Sequence, residues 1–485
     1  LRRKLQTAKG LPNTKDTVLC LDLDGTLIRS DALFESIFQL TKVNPLLLFL
    51  VPIWLMKGKP NLKEEIDKRI DFKAEALPYN QELIDYAISE KNNGRKVYLA
   101  TASHISIADK VAKHLNIFDG VYATKDGYNL KSDKKAKVLN EEFGKGNYVY
   151  AGDAKVDYNI WKDAAAAIVV SNNKSFIEDV SKNFPVEKSF YKEVNIFKKI
   201  IKEIRVYQWV KNLLLFLPIL LAHTLGNVTD LTNVFIGFFS FSISASFVYV
   251  LNDLLDLDSD RSHPRKKNRP LASGDLPIQI GILLVPILFI TGIGLSFLLN
   301  QNFQIILLSY IIITTAYSFS LKKVPILDII LLATLFTSRI VAGAFAANVD
   351  LSMWILAFSM FFFMNLAVLK RYTELLVMKN KNEIEAKGRG YHIEDMGLLL
   401  SMGPAAGFLS VLVFVLYIDS TQATGLYSEP KVLWLITPVL LYWISRIWHL
   451  SVRGKMTDDP IVFTGKDRVS YVVGLIIFLI AFMAA

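Results

Sequence analysis

A single cysteine, Cys20, stands in the 485 residues, so no intrachain disulfide can brace the fold. It lies in an apolar run, where a thiol packs as a small hydrophobe, and this usage fits a cytoplasmic domain. The first residues, LRRKLQTAKGLPNTKD, lack the apolar core of a secretory signal, and no initiating Met precedes them. The sequence is therefore expected to begin inside a longer chain. No nucleic-acid-binding motif accompanies the net charge of +10, so nucleic acid is not an expected partner and the location of the charge matters more than its size. A composition 52% apolar yet 21% charged, with mean hydropathy +0.33, implies a soluble part joined to a membrane part.

What is present centres on Asn252 to Gly274, NDLLDLDSDRSHPRKKNRPLASG, an acidic stretch running into a basic one after a long apolar segment. If a helix continues through Asn252, then Asn252, Asp256 and Asp260 recur every four residues along one face. Their oxygens suit Mg²⁺, a hard cation bound by one or two carboxylates plus substrate phosphates. Asp253, Arg261, Lys266 and Arg269 lie beside them, and cations next to a carboxylate stripe suit an anion complexed with metal. Anchoring of a cytoplasmic loop would explain the lysines and arginines but not the aspartates.

The first part, residues 1–195, alternates apolar strand patterns with helical ones. TVLCLDLDGTL at 17–27, KVYLATAS at 96–103 and YVYAGDAKVD at 148–157 each end in acidic or hydroxyl residues. Such alternation predicts a parallel sheet with ligands beyond the carboxyl ends of the strands, where Asp22, Asp24, Thr101, Asp153 and Asp157 would converge. These motifs resemble the haloacid dehalogenase superfamily, with DLDGT first, Thr101 second, a lysine near 135 third and Gly152-Asp153-x-x-x-Asp157 fourth. The resemblance implies an α/β Rossmann-like domain that hydrolyses phosphate monoesters. Asp22 would be the nucleophile and Asp24 the general acid and base, while Thr101 and the lysine would bind phosphate oxygens. Mg²⁺ would be held by Asp22, the Asp24 carbonyl and Asp153, with Asp157 in support. Lys134, Lys135 and Lys137 compete for the lysine role, and the resemblance implies Lys135, since that superfamily places the lysine four residues before a leucine, here Leu139. His104 has two readings, substrate contact or a cap.

A helical insertion, residues 31–92, occupies the place of a substrate-selecting cap. Within it PLLLFLVPIWLM at 45–56 is too short to span a hydrocarbon core ~30 Å thick. It reads either as an interfacial helix or as a buried cap helix.

Residues 196–485 carry apolar segments centred near 217, 241, 289, 310, 337, 360, 407, 440 and 477, which predicts an all-α membrane domain of nine helices. The loops beginning at 252, 321, 370 and 450 are rich in Lys and Arg, whereas the alternate loops hold one lysine, Lys431. The basic loops are therefore expected in the cytoplasm, together with the first domain, in an inner or plasma membrane. They contain Tyr317, Lys322 and Asp328, then Lys370, Arg371, Tyr372, Glu374, Arg389, Tyr391 and Asp395, then Asp458, Asp459, Asp467 and Arg468. Arg339, inside its helix, must face protein or a water-filled cavity, and contact with a ligand phosphate is the preferred role.

Asn252-Asp253-x-x-Asp256-x-x-x-Asp260 with these helices resembles the UbiA superfamily of intramembrane prenyltransferases. A second aspartate repeat, which ordinary members carry after the fourth helix, is missing. That departure, with RVYQWVKN, YSFSLKK and LKRYTEL, looks like the decaprenyl-phosphate phosphoribosyltransferase branch. The resemblance implies Mg²⁺-dependent transfer of phosphoribose from phosphoribosyl pyrophosphate to a polyprenyl phosphate, as in making a cell wall precursor. Asp253, Arg261, Lys266, Arg269, Tyr317, Lys322, Arg339, Lys370 and Arg371 would bind the substrates, and the fused phosphatase would remove the 5-phosphate. Two alternatives stand beside this: a prenyltransferase using a prenyl diphosphate and an aromatic or lipid acceptor, and a transporter or lipid-binding module regulated by the first domain.

Overall fold

A computed structural model describes residues 14–125, 128–380, 389–456 and 460–485. The leading basic segment, Gly388, Asp458 and Asp459 lie outside the described residues. The chain forms two compact units, Leu1–Ile204 with Tyr249–Val285, and Arg205–Val248 with Pro286–Ala485.

In the first unit six strands make one parallel sheet: β1 Val18–Leu21, β2 Val97–His104, β3 Gly120–Thr124, β4 Tyr148–Gly152, β5 Ala166–Ser171 and β6 Val186–Tyr191. The spatial order is β3-β2-β1-β4-β5-β6. Order reverses between β1 and β4, so the connections after these two strands leave in opposite directions and open a crevice between them. Alternation builds both faces. Leu19, Leu21, Val97, Leu99, Val149 and Ile168 pack into one apolar layer, and Cys20, Ala100, Tyr148, Tyr150 and Val169 into the other. Burial pushes the Cys20 thiol up to about 12, so it stays a neutral packing group.

Helices α1 (Ala32–Val43) and α2 (Lys59–Asp67) belong to the cap between β1 and β2. Asp31 caps α1 by accepting the N–H groups of Leu33 and Phe34. Between these helices the apolar stretch divides its roles. Trp54 is buried under the Arg69 guanidinium, whereas Leu46, Phe49, Ile53 and Met56 are exposed. The two readings of this stretch thus apply to different faces of it.

The Asn252 stretch also packs in the first unit, although the sequence assigned it to the membrane part. Arg261 and Gly274 make the contacts. Arg261 donates to Glu35 of α1 at 3.0 and 2.7 Å and to the carbonyl of Ala76 at 3.0 Å. Gly274, at φ +70°, lies against Arg29 and Pro78, and Leu271, Ala272 and Leu276 are buried.

The long apolar helices are α3 (Val228–Leu255), α4 (Ile278–Ser296), α5 (Gln301–Phe319), α6 (Leu327–Ala346), α7 (Met353–Lys379), α8 (Met396–Ile418) and α9 (Ile436–Val452), followed by the shorter α10 (Arg468–Ala484). Among the described residues seven helices are long and apolar enough to cross a membrane, and up to eight if the bent pair Ile196–Glu203 and Val206–Leu221 is one span. The nine expected segments are all helical, but the first is broken at Arg205, which sits in the left-handed region at φ 54°, and α10 has 17 residues. Ile282, Leu283, Ile287 and Ile290 of α4 are exposed, as a lipid-facing surface requires.

Candidate active sites

The carboxyl ends of β1 and β4 bring three carboxylates together. One oxygen each from Asp22, Asp153 and Asp157 lies within 4.8 Å of the others. Asp22 Oδ1 accepts the Leu23 N–H at 2.8 Å and pairs with Lys135 Nζ at 3.0 Å. Lys135 also donates to the Tyr150 hydroxyl at 2.7 Å. Its neighbours point elsewhere: Lys134 lies over the Tyr128 ring and Lys137 beside Glu141 on the surface. Asp157 accepts the N–H groups of Asp153 and Ala154, both at 3.1 Å, and so braces the turn that carries Asp153. Gly25 takes φ +71°, and a Cβ there would come within 2.2 Å of Asp153 Oδ2. The small residue lets the loop after Asp24 close over the carboxylates.

Asp24 is held beside this cluster. The Ala32 N–H donates to its Oδ1 at 2.7 Å and Ser103 Oγ to its Oδ2 at 2.8 Å. Buried Thr101 accepts the Ser103 N–H at 3.0 Å and so sets the β2 end that aims Ser103. Burial, then repulsion from Asp31, pushes the Asp24 carboxyl up to about 7. A carboxyl at that value carries a proton for a good part of the time at neutral pH, as a proton donor must. His104 caps the helix Ile105–Leu115 through Nδ1 and lies 3.7 Å from Asp67, which favours the capping reading. The sequence missed Lys63 of α2, which reaches in from the cap to donate to the carbonyl of Ala102. A basic residue on a polar helix face gave no signal for this.

The three carboxylates fit a hard divalent cation in donor type and spacing. Burial, then the charges of Asp22 and Asp157, pushes Asp153 up to about 8, and burial followed by Asp22 pushes Asp157 to about 6. Without a cation the folded form therefore binds more protons than the unfolded form between the usual carboxylate range and about pH 8, so stability falls as pH rises through that window. A divalent cation needs the deprotonated carboxylates and reverses the loss. Differential scanning fluorimetry of the purified protein should show Mg²⁺ raising the melting temperature by roughly several degrees at pH 8, with a much smaller shift at pH 5.5. Equal shifts at both pH values would exclude these carboxylates as the ligands.

In the Asn252 stretch α3 ends at Leu255 and a short helix, Leu257–Ser262, follows. The junction still carries helical bonds, Asp256 N–H to the Asn252 carbonyl and Asp260 N–H to the Asp256 carbonyl, each 2.8 Å. Asn252 and Asp256 are half-buried. Asp260 keeps one buried oxygen, Oδ1, that accepts no hydrogen bond among the described residues. It is 1% exposed, bonds Arg269 and lies 3.5 Å from Lys266, while Arg269 also binds Asp253 at 2.7 Å. The Arg261 guanidinium is held by Glu35 and the Ala76 carbonyl. In both places a cation read as meeting substrate meets a carboxylate of the chain.

Within the second unit Arg371 Nε donates to Asp328 Oδ2 at 2.6 Å, and its Nη2 to the Tyr317 hydroxyl at 3.2 Å. Glu374 binds both Arg371 and Arg389, and the Tyr391 hydroxyl donates to Asp328 Oδ1 at 2.5 Å. The ends of α5, α6 and α7 and the loop before α8 are tied together by this cluster, so Arg371 and Tyr317 serve it rather than standing open. Arg339 is likewise engaged by protein. Its Nε donates to Asn212 at 2.8 Å, its Nη2 to the Tyr310 hydroxyl at 3.2 Å, and Phe241 and Phe336 flank the guanidinium. Lys322 lies half-buried in the short helix Leu321–Lys323, and Lys370, also half-buried, precedes Arg371 on α7.

The profile of the UbiA prenyltransferase family matches residues 213–482. An uncharacterised protein of Sinorhizobium fredii, y4nM, is 36% identical over 95% of this chain and 89% of its own length. Decaprenyl-phosphate phosphoribosyltransferase of Mycolicibacterium smegmatis is 28% identical over 57% of this chain and 88% of its own. Among solved structures, a UbiA homologue of Archaeoglobus fulgidus bound to DMAPP and Mg²⁺ covers 58% of this chain and 98% of that one, at 17% identity and TM-score 0.45. A phosphoserine phosphatase in apo form covers 39% and 98%, at 17% identity and TM-score 0.27.

Proposed function

The chain belongs to the UbiA prenyltransferase family and is an integral membrane protein; from this premise we propose that it transfers phosphoribose from phosphoribosyl pyrophosphate to a polyprenyl phosphate and dephosphorylates the product. The observation that carries the proposal is the phosphatase-type cluster of Asp22, Asp24, Lys135 and Asp153 in the same compact unit as the Asn252 stretch. Similarity to the mycobacterial phosphoribosyltransferase supports the transferase half. The basic loops and the first domain would share the cytoplasmic side, where a soluble pyrophosphate donor is found.

In the transfer a polyprenyl-phosphate oxygen attacks the anomeric carbon and pyrophosphate departs with the bonding electrons. Asn252, Asp256 and Asp260 would supply the oxygen donors for a Mg²⁺ bound with that pyrophosphate, Asp260 through Oδ1, since Arg269 takes its Oδ2. Lys266, Lys322 and Lys370 are the cations best suited to the substrate phosphates.

In the hydrolysis the Asp22 carboxylate attacks phosphorus, the bond to the sugar oxygen breaks, and Asp24 supplies that oxygen with a proton. Water then attacks the aspartyl-phosphate, Asp24 takes its proton, and inorganic phosphate leaves. Lys135 holds Asp22 Oδ1 at 3.0 Å and so fixes the carboxylate for attack. A bound Mg²⁺ on Asp22, Asp153 and Asp157 would screen the repulsion between carboxylate and phosphate.

Membranes containing the protein, given radiolabelled phosphoribosyl pyrophosphate and a polyprenyl phosphate, should form an organic-soluble labelled lipid, and Asp256→Ala should abolish it. Absence of that lipid, with consumption of a prenyl diphosphate in its place, would return the transferase to prenyl transfer.

A further inference from the structure

A cleft of about 270 Å³ in the first unit, lined by Asp153 of the carboxylate cluster, runs across the carboxyl ends of β5 and β6. Gly25 and Asp153 line it after β1 and β4, Ser171 and Asn172 at the end of β5 and Lys192 after β6, with Arg29 and Asp275 also on the wall. Its size is near the lower bound of small-ligand clefts, about 300 Å³. The far end gathers charge. The Asp275 carboxylate, 10% exposed, bonds Lys192, lies 2.5 Å from Lys199 Nζ and 4.0 Å from Arg29 Nη1. Three cations around one carboxylate leave two positive charges in excess. Glu82, at the exposed rim, is the opposing acid on the wall apart from Asp153.

Two glycines let the chain pack closely along this cleft. Gly25 and Gly274 both adopt positive φ, +71° and +70°, and a Cβ at Gly274 would come within 2.7 Å of the Arg29 side chain. Ser171 and Asn172 add neutral hydrogen-bonding groups between the carboxylates and the cations. A ligand lying along the cleft would therefore pass from Asp153, which neighbours Asp22, to the hydroxyl and amide groups after β5 and the cation after β6. That sequence of groups matches a sugar bearing two phosphoryl groups, one at each end.

We infer that the far end of this cleft is a second anion subsite of the phosphomonoesterase centre, which selects substrates carrying a phosphoryl group beyond the ester that is cleaved. The inference rests on the phosphatase reading above and gives it a substrate class. In the resting protein Asp275 is the counter-ion of Arg29, Lys192 and Lys199, and a bound phosphoryl group competes with it for them. Asp275 belongs to the segment that continues from the Asn252 stretch, so a residue of that segment sets the selectivity of the phosphatase site.

The test compares kcat/KM for a pentose 1,5-bisphosphate and the pentose 5-phosphate, with full-length protein in detergent and Mg²⁺. Wild type should favour the bisphosphate by about tenfold or more, the equivalent of one charge-assisted contact of ~1.4 kcal/mol. Lys192→Ala and Arg29→Ala should each lower that ratio by several-fold, Lys192→Arg should largely restore it, and Asp275→Asn should raise it by freeing the cations. A wild-type ratio near one, or a ratio unchanged across the variants while phosphate is still released, overturns the subsite and leaves the phosphatase standing. Release of phosphate from neither compound by wild type overturns the phosphatase reading, and the subsite falls with it.

Discussion

Asp22→Asn should abolish phosphate release from a phosphomonoester while leaving the labelled lipid product of the transferase intact, now retaining its phosphate. Loss of a covalent nucleophile costs on the order of 10³-fold or more, because no other group can make the aspartyl-phosphate. The substitution is suited to the test because it removes charge where charge is crowded. Asp22 is, after burial, the largest cause of the upward shifts of Asp153 and Asp157, so neutralising it relieves repulsion, and the amide oxygen can still accept the Leu23 N–H. The cost is the ion pair with Lys135, which keeps the Tyr150 hydroxyl as a partner. The variant is therefore expected to fold, and its melting temperature without Mg²⁺ should stay close to that of wild type. Asp24→Asn offers a graded comparison. It preserves the nucleophile and removes the proton donor, a loss of about 10² to 10⁴-fold, smallest for esters with acidic leaving alcohols. Undiminished phosphate release in Asp22→Asn would place the hydrolytic chemistry elsewhere, and simultaneous loss of the labelled lipid would mean that the two activities are not separable at this residue.

The legible parts of this chain are those where function follows from strand ends. Asp22, Asp24, Thr101, Asp153 and Asp157 each end or follow a short apolar run, and a parallel sheet brings such ends to one edge regardless of the intervening sequence. Lys135 was legible only as one of three lysines. The choice depends on which face of its helix docks on the sheet, and Ala136 and Leu139, both buried, set that face. Glu35 was not legible. A carboxylate one turn into a helix reads as solvent-facing, and its partner Arg261 is 226 positions further on. The same limit affected the cations after Asn252. Sequence marks Arg261 and Arg269 as positive, but whether they meet a substrate or a side chain is decided by tertiary packing, and here Glu35, Asp253 and Asp260 claim them. In the membrane helices the hydrophobic pattern located every segment, while the break at Arg205 depended on backbone geometry that hydropathy does not encode.

Arg371→Ala is expected to destabilise the second unit by about 3–5 kcal/mol, because it leaves the Asp328 carboxylate buried without its cation. Asp328 is 0% exposed and Arg371 2%, so water cannot replace the lost partner, and Tyr391 alone remains to donate to the carboxylate. The damage should spread, since Glu374 would lose one of its two arginines and the Tyr317 hydroxyl its guanidinium donor. Thermal unfolding in detergent should therefore show a large drop in melting temperature for Arg371→Ala, with transferase activity lost alongside. Asp328→Asn should cost less, because the amide still accepts from Tyr391 and Arg371 retains Glu374. Replacing both partners by apolar residues of similar volume, Arg371→Met with Asp328→Leu, should recover much of the stability, since a buried ion pair contributes little beyond its own desolvation cost. Activity in that double variant then separates the two roles considered for Arg371. Recovered folding with recovered transfer means that the arginine only ties the helix ends together, whereas recovered folding without transfer means that it also meets the substrate. An Arg371→Ala protein as stable as wild type but inactive would overturn the structural role altogether.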